Sequence, residues 1–136
     1  MRSLFRESER QVERAILDAI TMLPGVKAWK NETVGVYDPV KKTFRRSYNP
    51  HRIRGVPDVL GWYMDKFFGI EVKTPTNHRG ATHEQRLWIN QANDAGHFST
   101  VVTSVEEAIQ FIERVKHGDR LDANRYRWEL GTGPTK

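Results

Sequence analysis

The sequence contains no cysteine, which excludes both a disulfide framework and a thiolate metal site and suits a reducing compartment. No apolar run approaches the ~18 residues that a membrane-spanning helix needs. The opening residues "MRSLFRESERQVERAI" are charged throughout and lack the apolar stretch of a signal peptide. Low-complexity tracts and internal repeats are absent too. One absence is local: no acid stands between Asp38 and Asp58, while Lys41, Lys42, Arg45, Arg46, Arg52 and Arg54 all fall there. What remains is a chain of 136 residues, 38% hydrophobic and with ten glycines, which fits one soluble, cytoplasmic domain. A net charge of +5 points toward a polyanionic partner, although a solvated basic loop accounts for the acid-free stretch equally well.

Hydrophobic periodicity orders the elements. Residues 7–23 have helical spacing, with Val12, Ile16, Ala19, Ile20 and Leu23 on one stripe, Ser8 as a cap and Pro24-Gly25 as a stop. "VKAWK" (26–30) reads as a strand. "TVGVYDPVKKTF" reads either as a loose hairpin turning at Asp38-Pro39 or as a mobile loop. Two strands follow, at about 56–63 and 67–73, then a helix at about 83–95 whose inner face is expected to carry Leu87, Trp88, Gln91 and Ala95. "FSTVVT" is a further strand, and Ser104 opens a last helix with Glu107 at capping-box spacing. The order is helix, three strands, helix, strand, helix: an α/β domain with a central sheet flanked by helices. Residues 1–117 are taken as the domain and 118–136 as a tail that contacts DNA or a second subunit.

The stretch "GVPDVLGWYMDKFFGIEVKTP" (55–75) carries Asp58, Glu71 and Lys73 in strands that otherwise look half buried. The connection is too short for a parallel crossover, so the strands form an antiparallel hairpin. A two-residue turn at Met64-Asp65 sets Asp58 opposite Glu71; a turn at Asp65-Lys66 sets it opposite Lys73. Either way the three side chains share one face, because side chains alternate with period two, and Val59, Phe68, Ile70 and Val72 line the other. Two carboxylates ~5 Å apart at an effective dielectric of ~20 repel by about 3 kcal/mol, so a cation must relieve them. Lys73 is one candidate, which leaves a purely structural Asp–Lys–Glu cluster open. A hard divalent ion is the other, and carboxylate and carbonyl oxygens suit Mg2+ or Mn2+.

At these residues the chain resembles the VRR-NUC family of the PD-(D/E)XK nuclease superfamily. The likeness runs from about Glu9 to Ile112 and includes Pro57-Asp58, Glu71-Val72-Lys73, Gln85 and the helix end "QANDAG". It implies a restriction-endonuclease-like αβββαβ core and a metal-dependent DNA endonuclease. It further implies that Asp58, Glu71 and the Val72 carbonyl ligate Mg2+ or Mn2+. Lys73 would orient the attacking water and stabilise developing charge, and Gln85 would support the site, although Thr82 and Gln85 also have capping-box spacing. The family's helix-borne acid is assigned to Glu9, with Glu13 as the competitor on the same helix face.

On this resemblance the basic residues from Lys41 to Arg54 lead into the strand of Asp58 and would grip backbone phosphates without reading sequence. Arg79 joins the expected DNA contacts, whereas His78 and His83 read rather as solvated loop residues. Standalone members of the family are similar to dimeric Holliday junction resolvases, so the expected protein is a homodimer that cuts branched DNA in a bacterial or phage-infected cell. The rivals are a nuclease acting on linear or nicked duplex and a non-catalytic DNA-binding module.

Overall fold

The computed structural model describes residues 8–32, 36–45, 50–75 and 80–118. Its first helix, α1 (Glu9–Ile20), begins where the sequence supplies a cap: the Ser8 hydroxyl accepts from the Gln11 N–H, and the Gln11 side chain accepts from the Ser8 N–H. This reciprocal box satisfies two of the orphan donors of the first turn. Val12, Ile16 and Ile20 recur at helical spacing and are buried, so one stripe of α1 enters the core.

Strands β1 (Val26–Lys30), β4 (Val59–Tyr63), β5 (Lys66–Val72) and β6 (Phe98–Val102) form one four-stranded sheet in the order β1-β4-β5-β6. β4 is antiparallel to both β1 and β5, and β6 lies parallel to β5. Between β1 and β4 the chain makes a separate two-stranded sheet of β2 (Val36–Asp38) and β3 (Thr43–Arg45), so the hairpin reading of this stretch holds. Its turn runs through Pro39–Lys42, with the Asp38 carboxylate accepting from the Val40 and Lys41 N–H groups. Helix α2 (His83–Asp94) is the crossover from β5 to β6, and α3 (Val105–His117) closes the described chain, ending at Gly118 in the left-handed region. The α/β order and mixed sheet are those expected from the sequence.

The turn between β4 and β5 is the two-residue Met64-Asp65, fixed by the pair Tyr63↔Lys66, with Met64 at φ 54°. Val59, Phe68, Ile70 and Val72 accordingly face a core shared with α1 and α3, where Phe68 meets Phe111 edge to face. α2 lies on the opposite face of the sheet. A Cβ on Gly69 would press against Trp88 of α2 and against Pro57, so this position favours the smallest residue.

The inner face of α2 differs from expectation. Ile89, Asn90, Ala92 and Asn93 are its buried residues, whereas Leu87 is 40% exposed and Gln91 and Ala95 are also at the surface. Asn93 explains the misreading: its amide donates to the Ser99 carbonyl and accepts from the Ser99 N–H, so a polar side chain docks the helix on β6. A search for apolar periodicity discards such a residue. Among the described residues no helix is long and apolar enough to cross a membrane.

Candidate active site

The site is built at the end of the β4–β5 ladder. Extending the observed register by one pair sets Asp58 opposite Glu71. This pair falls where the two backbones do not exchange hydrogen bonds, the arrangement that brings facing side chains closest, with Cα atoms ~4.5 Å apart. Asp58 bridges the open end: its carboxylate accepts from the Val72 N–H at 3.0 Å, and its carbonyl accepts from the Asn31 N–H at 2.7 Å. One more step along the register would pair Val72 with Pro57. Proline has no N–H to offer, so that side of the ladder supplies no donor to the Val72 carbonyl. A residue's N–H and C=O point to the same side of a strand, so this carbonyl is directed toward Asp58.

Glu71 is 1% exposed. Its Oε2 accepts from Gln85 Nε2 at 2.9 Å and lies 3.4 Å from Lys73 Nζ. Its Oε1 is buried and accepts from no neighbouring N–H or O–H, while the Asp58 carboxyl stands close enough to share a proton with Glu71. Burial, and next the nearby Asp58 carboxylate, push the Glu71 pKa up to about 8, against the pull of Lys73. A carboxylate so placed is held neutral at neutral pH until something compensates its charge.

Gln85 both caps α2 and touches Glu71. Its Oε1 accepts from the Thr82 N–H at 2.7 Å, completing a capping box, while its Nε2 holds Glu71. The α2 cap thus anchors the side chain that orients the buried carboxylate.

The helix-borne acid is placed differently from the rest. Glu9 begins α1, half-buried, and Glu13 one turn later is buried and ion-paired to Lys30 Nζ at 2.7 Å. That pair raises the Lys30 pKa, chiefly through the hydrogen bond to Glu13. α1 lies on the face opposite Glu71, and among the described residues no hydrogen bond or ion pair ties Glu9 or Glu13 to Asp58 or Glu71.

Of the expected phosphate contacts, Lys41 and Lys42 are exposed in the β2–β3 turn. Arg52 and Arg54 are exposed in the segment leading into β4, and Arg54 lies 3.5 Å from Glu84. Gly55 carries this segment against the start of α2. At φ 80° it needs glycine, and a Cβ would collide with the Glu84 carbonyl. Arg54 therefore sits beside the helix turn that presents Gln85. Arg46, Arg79, the Arg45 side chain and the 119–136 part of the tail lie outside the described residues.

The donor set fits a hard divalent cation on three observations: an orphaned buried oxygen on Glu71, a second carboxylate opposite it, and a backbone carbonyl directed to the same place. Among the described residues no group of three or more His, Cys, Asp or Glu side chains gathers, so two carboxylates with a carbonyl are what this site offers. Sequence reading passed over two further features of the site: Pro57 as the residue that withholds a donor, and Asn31, just after β1, as the residue that fixes the Asp58 backbone. Proline directly before the strand acid was the available signal for the first. Comparison with family profiles, curated proteins and solved structures returns no match.

Proposed function

We infer that the protein is a metal-dependent DNA endonuclease that hydrolyses phosphodiester bonds. The observation that carries this reading is the buried Glu71 carboxylate, one oxygen held by Gln85 and Lys73 and the other unpartnered, facing a second carboxylate across the hairpin. Either a proton shared with the nearby Asp58 carboxyl or a cation would meet this oxygen, since an unmet buried acceptor costs ~1–3 kcal/mol; we take the cation, which also relieves the two facing charges.

Asp58, Glu71 and the Val72 carbonyl would hold Mg2+ or Mn2+, which when bound neutralises phosphate charge as a Lewis acid and makes water a better nucleophile. Asp58, fixed by the Val72 and Asn31 N–H groups, keeps its carboxylate at the open end of the ladder. Gln85 sets the rotamer of Glu71. Lys73, mostly buried, donates toward the attacking water and the phosphoryl oxygens as negative charge develops there. Lys41, Lys42, Arg45, Arg46, Arg52, Arg54 and Arg79 would contact backbone phosphates, a grip that follows strand shape more than base sequence. Branched DNA such as a four-way junction, bound by a homodimer, is the proposed substrate. The absence of cysteine suits work in the cytoplasm.

A cleavage assay on a four-way junction and a linear duplex of the same sequence, with Mg2+, Mn2+ or EDTA, tests the reading. Metal-dependent cutting that favours the junction is expected, and Lys73→Ala should lower its rate by about 10²–10³-fold with DNA binding retained. Equal cutting of the duplex would refute the branched substrate. Metal-independent binding with no cutting of any DNA would refute the enzyme.

A further inference from the structure

The register of the sheet arranges the Glu71 face in three rows across β1, β4 and β5. The outermost holds Lys27, Trp62 and Phe67; the next, Trp29, Leu60 and Gly69; the third, Asn31, Asp58 and Glu71. Rows are two residues apart along a strand, so the Trp29 row lies ~7 Å from the carboxylates and the Trp62 row ~13 Å. α2 covers the β5–β6 side of this face, through Trp88 over Gly69 and Asn93 on Ser99. On the β1–β4 side Trp29 is 38% and Trp62 44% exposed, and Lys27, opposite Trp62 and two residues from Trp29, is exposed as well.

The two indoles meet edge to face, with centroids 5.5 Å apart and planes at 72°. Such a contact uses the face of one ring and the edge of the other, and the exposure of both indoles leaves part of their surface open to a ligand. A cross-strand aromatic pair stabilises an edge strand wherever it lies, which explains the contact but not the place. The place is beside the candidate site, with one lysine flanking the indoles, and the acids in the three rows are Asp58 and Glu71 themselves. Flat indoles flanked by positive charge are what a nucleobase with a free π-face stacks on, and such stacking tolerates any base.

We propose that Trp29 and Trp62 form a stacking platform for an unpaired nucleobase one or two nucleotides from the phosphodiester held at Asp58, Glu71 and Lys73. Continuity with the candidate phosphodiester site, together with the exposed Lys27 beside the indoles, points to a nucleic acid as the occupant. Bases inside an intact duplex already stack on both sides, so the platform selects substrates with an unpaired or frayed segment next to the cut. This deepens the nuclease reading and rests on it for the phosphate's position, while its test does not require cleavage.

Binding of a fluorescently labelled oligo(dT) strand and of a blunt duplex of equal length is measured in EDTA at low salt. Trp29→Ala and Trp62→Ala should each weaken oligo(dT) binding by about 5–100-fold and change duplex binding by less than about twofold. Trp→Phe at either position keeps most of the affinity, because a ring remains, whereas Trp→Leu loses it although it stays apolar. Oligo(dT) should also quench the indole emission of the unsubstituted protein. Thermal unfolding confirms that each variant is folded, and should an alanine variant unfold, the Phe and Leu pair decides. Unchanged oligo(dT) affinity, equal loss on duplex, or full retention by Leu overturns the platform. So does sedimentation showing that the variants split a dimer while binding DNA normally, which would make the patch a contact between copies. If no metal supports cleavage of any DNA yet oligo(dT) binding depends on the two indoles, the nuclease reading falls and the platform stands. If cleavage proceeds and the indoles are indifferent, the reverse holds.

Discussion

The two faces of β5 are made by alternate residues of one strand, and they obey opposite rules. On one face Phe68, Ile70 and Val72 are fully buried among apolar side chains of α1, α3 and the neighbouring strands. On the other, Gly69 and Glu71 meet a helix docked by polar groups while Phe67 meets His97 beyond it, and the most buried side chain is a carboxylate. The first face holds the strand in register. The second uses that rigidity to keep two acids opposite each other, an arrangement that would separate if the strands could slide. Stability and the candidate chemistry are thus carried by residues one position apart.

Substitutions on each face should separate these roles. The largest stability effect belongs to the core face: Ile70→Ala should cost about 2–5 kcal/mol, read as a fall in unfolding midpoint, with metal binding intact in the fraction that remains folded. A loss of metal binding without loss of stability would show that the two faces are not separate.

Glu71→Gln should act with the opposite sign. The carboxyl pKa is about 8 in the folded protein against 4.5 for the ordinary group, so the folded state holds the proton more tightly. The metal-free protein should therefore be most stable below about pH 4.5 with respect to this group, and lose that contribution as pH rises through about 8. Glu71→Gln removes the titration, flattens the stability curve over this window and leaves the variant more stable than the parent at pH 8. Urea unfolding at a series of pH values reads both. A variant less stable than its parent at pH 8 would mean that ionised Glu71 is well compensated without metal.

Gln85→Ala gives the smallest change, removing half of a capping box and one bond to Glu71. It should cost on the order of 1 kcal/mol of stability. It should also weaken metal binding by about tenfold or more. If Gln85→Ala alters stability alone, Gln85 is a cap and nothing else.

How much of this was legible in the sequence follows from what each signal depends on. The hairpin register needed only a turn length and a period of two, so the shared face of Asp58, Glu71 and Lys73 could be derived from "GVPDVLGWYMDKFFGIEVKTP". The cap role of Gln85 was legible from its spacing to Thr82 and its place near the site only from the family resemblance; the side chain makes both the capping bond and a bond to Glu71. The inner face of α2 was not legible, because Asn90 and Asn93 are buried for their hydrogen bonding or their position rather than for apolarity. Glu9 and Glu13 share a helix face, so spacing could not separate them; the structure gives the buried place and the Lys30 partner to Glu13. The Trp29–Trp62 contact depends on β1 pairing with β4, a tertiary fact on which local pattern is silent.

The central claim is that Asp58 and Glu71 form a divalent cation site. Titration calorimetry with Mn2+ on the parent protein, Asp58→Asn and Glu71→Gln, between pH 6 and 8, tests it most directly. Binding to the parent should strengthen by up to about tenfold per pH unit as Glu71 gives up its proton, and weaken at least tenfold in either variant. Mn2+ affinity that is absent at every pH, or that both substitutions leave untouched, would contradict it.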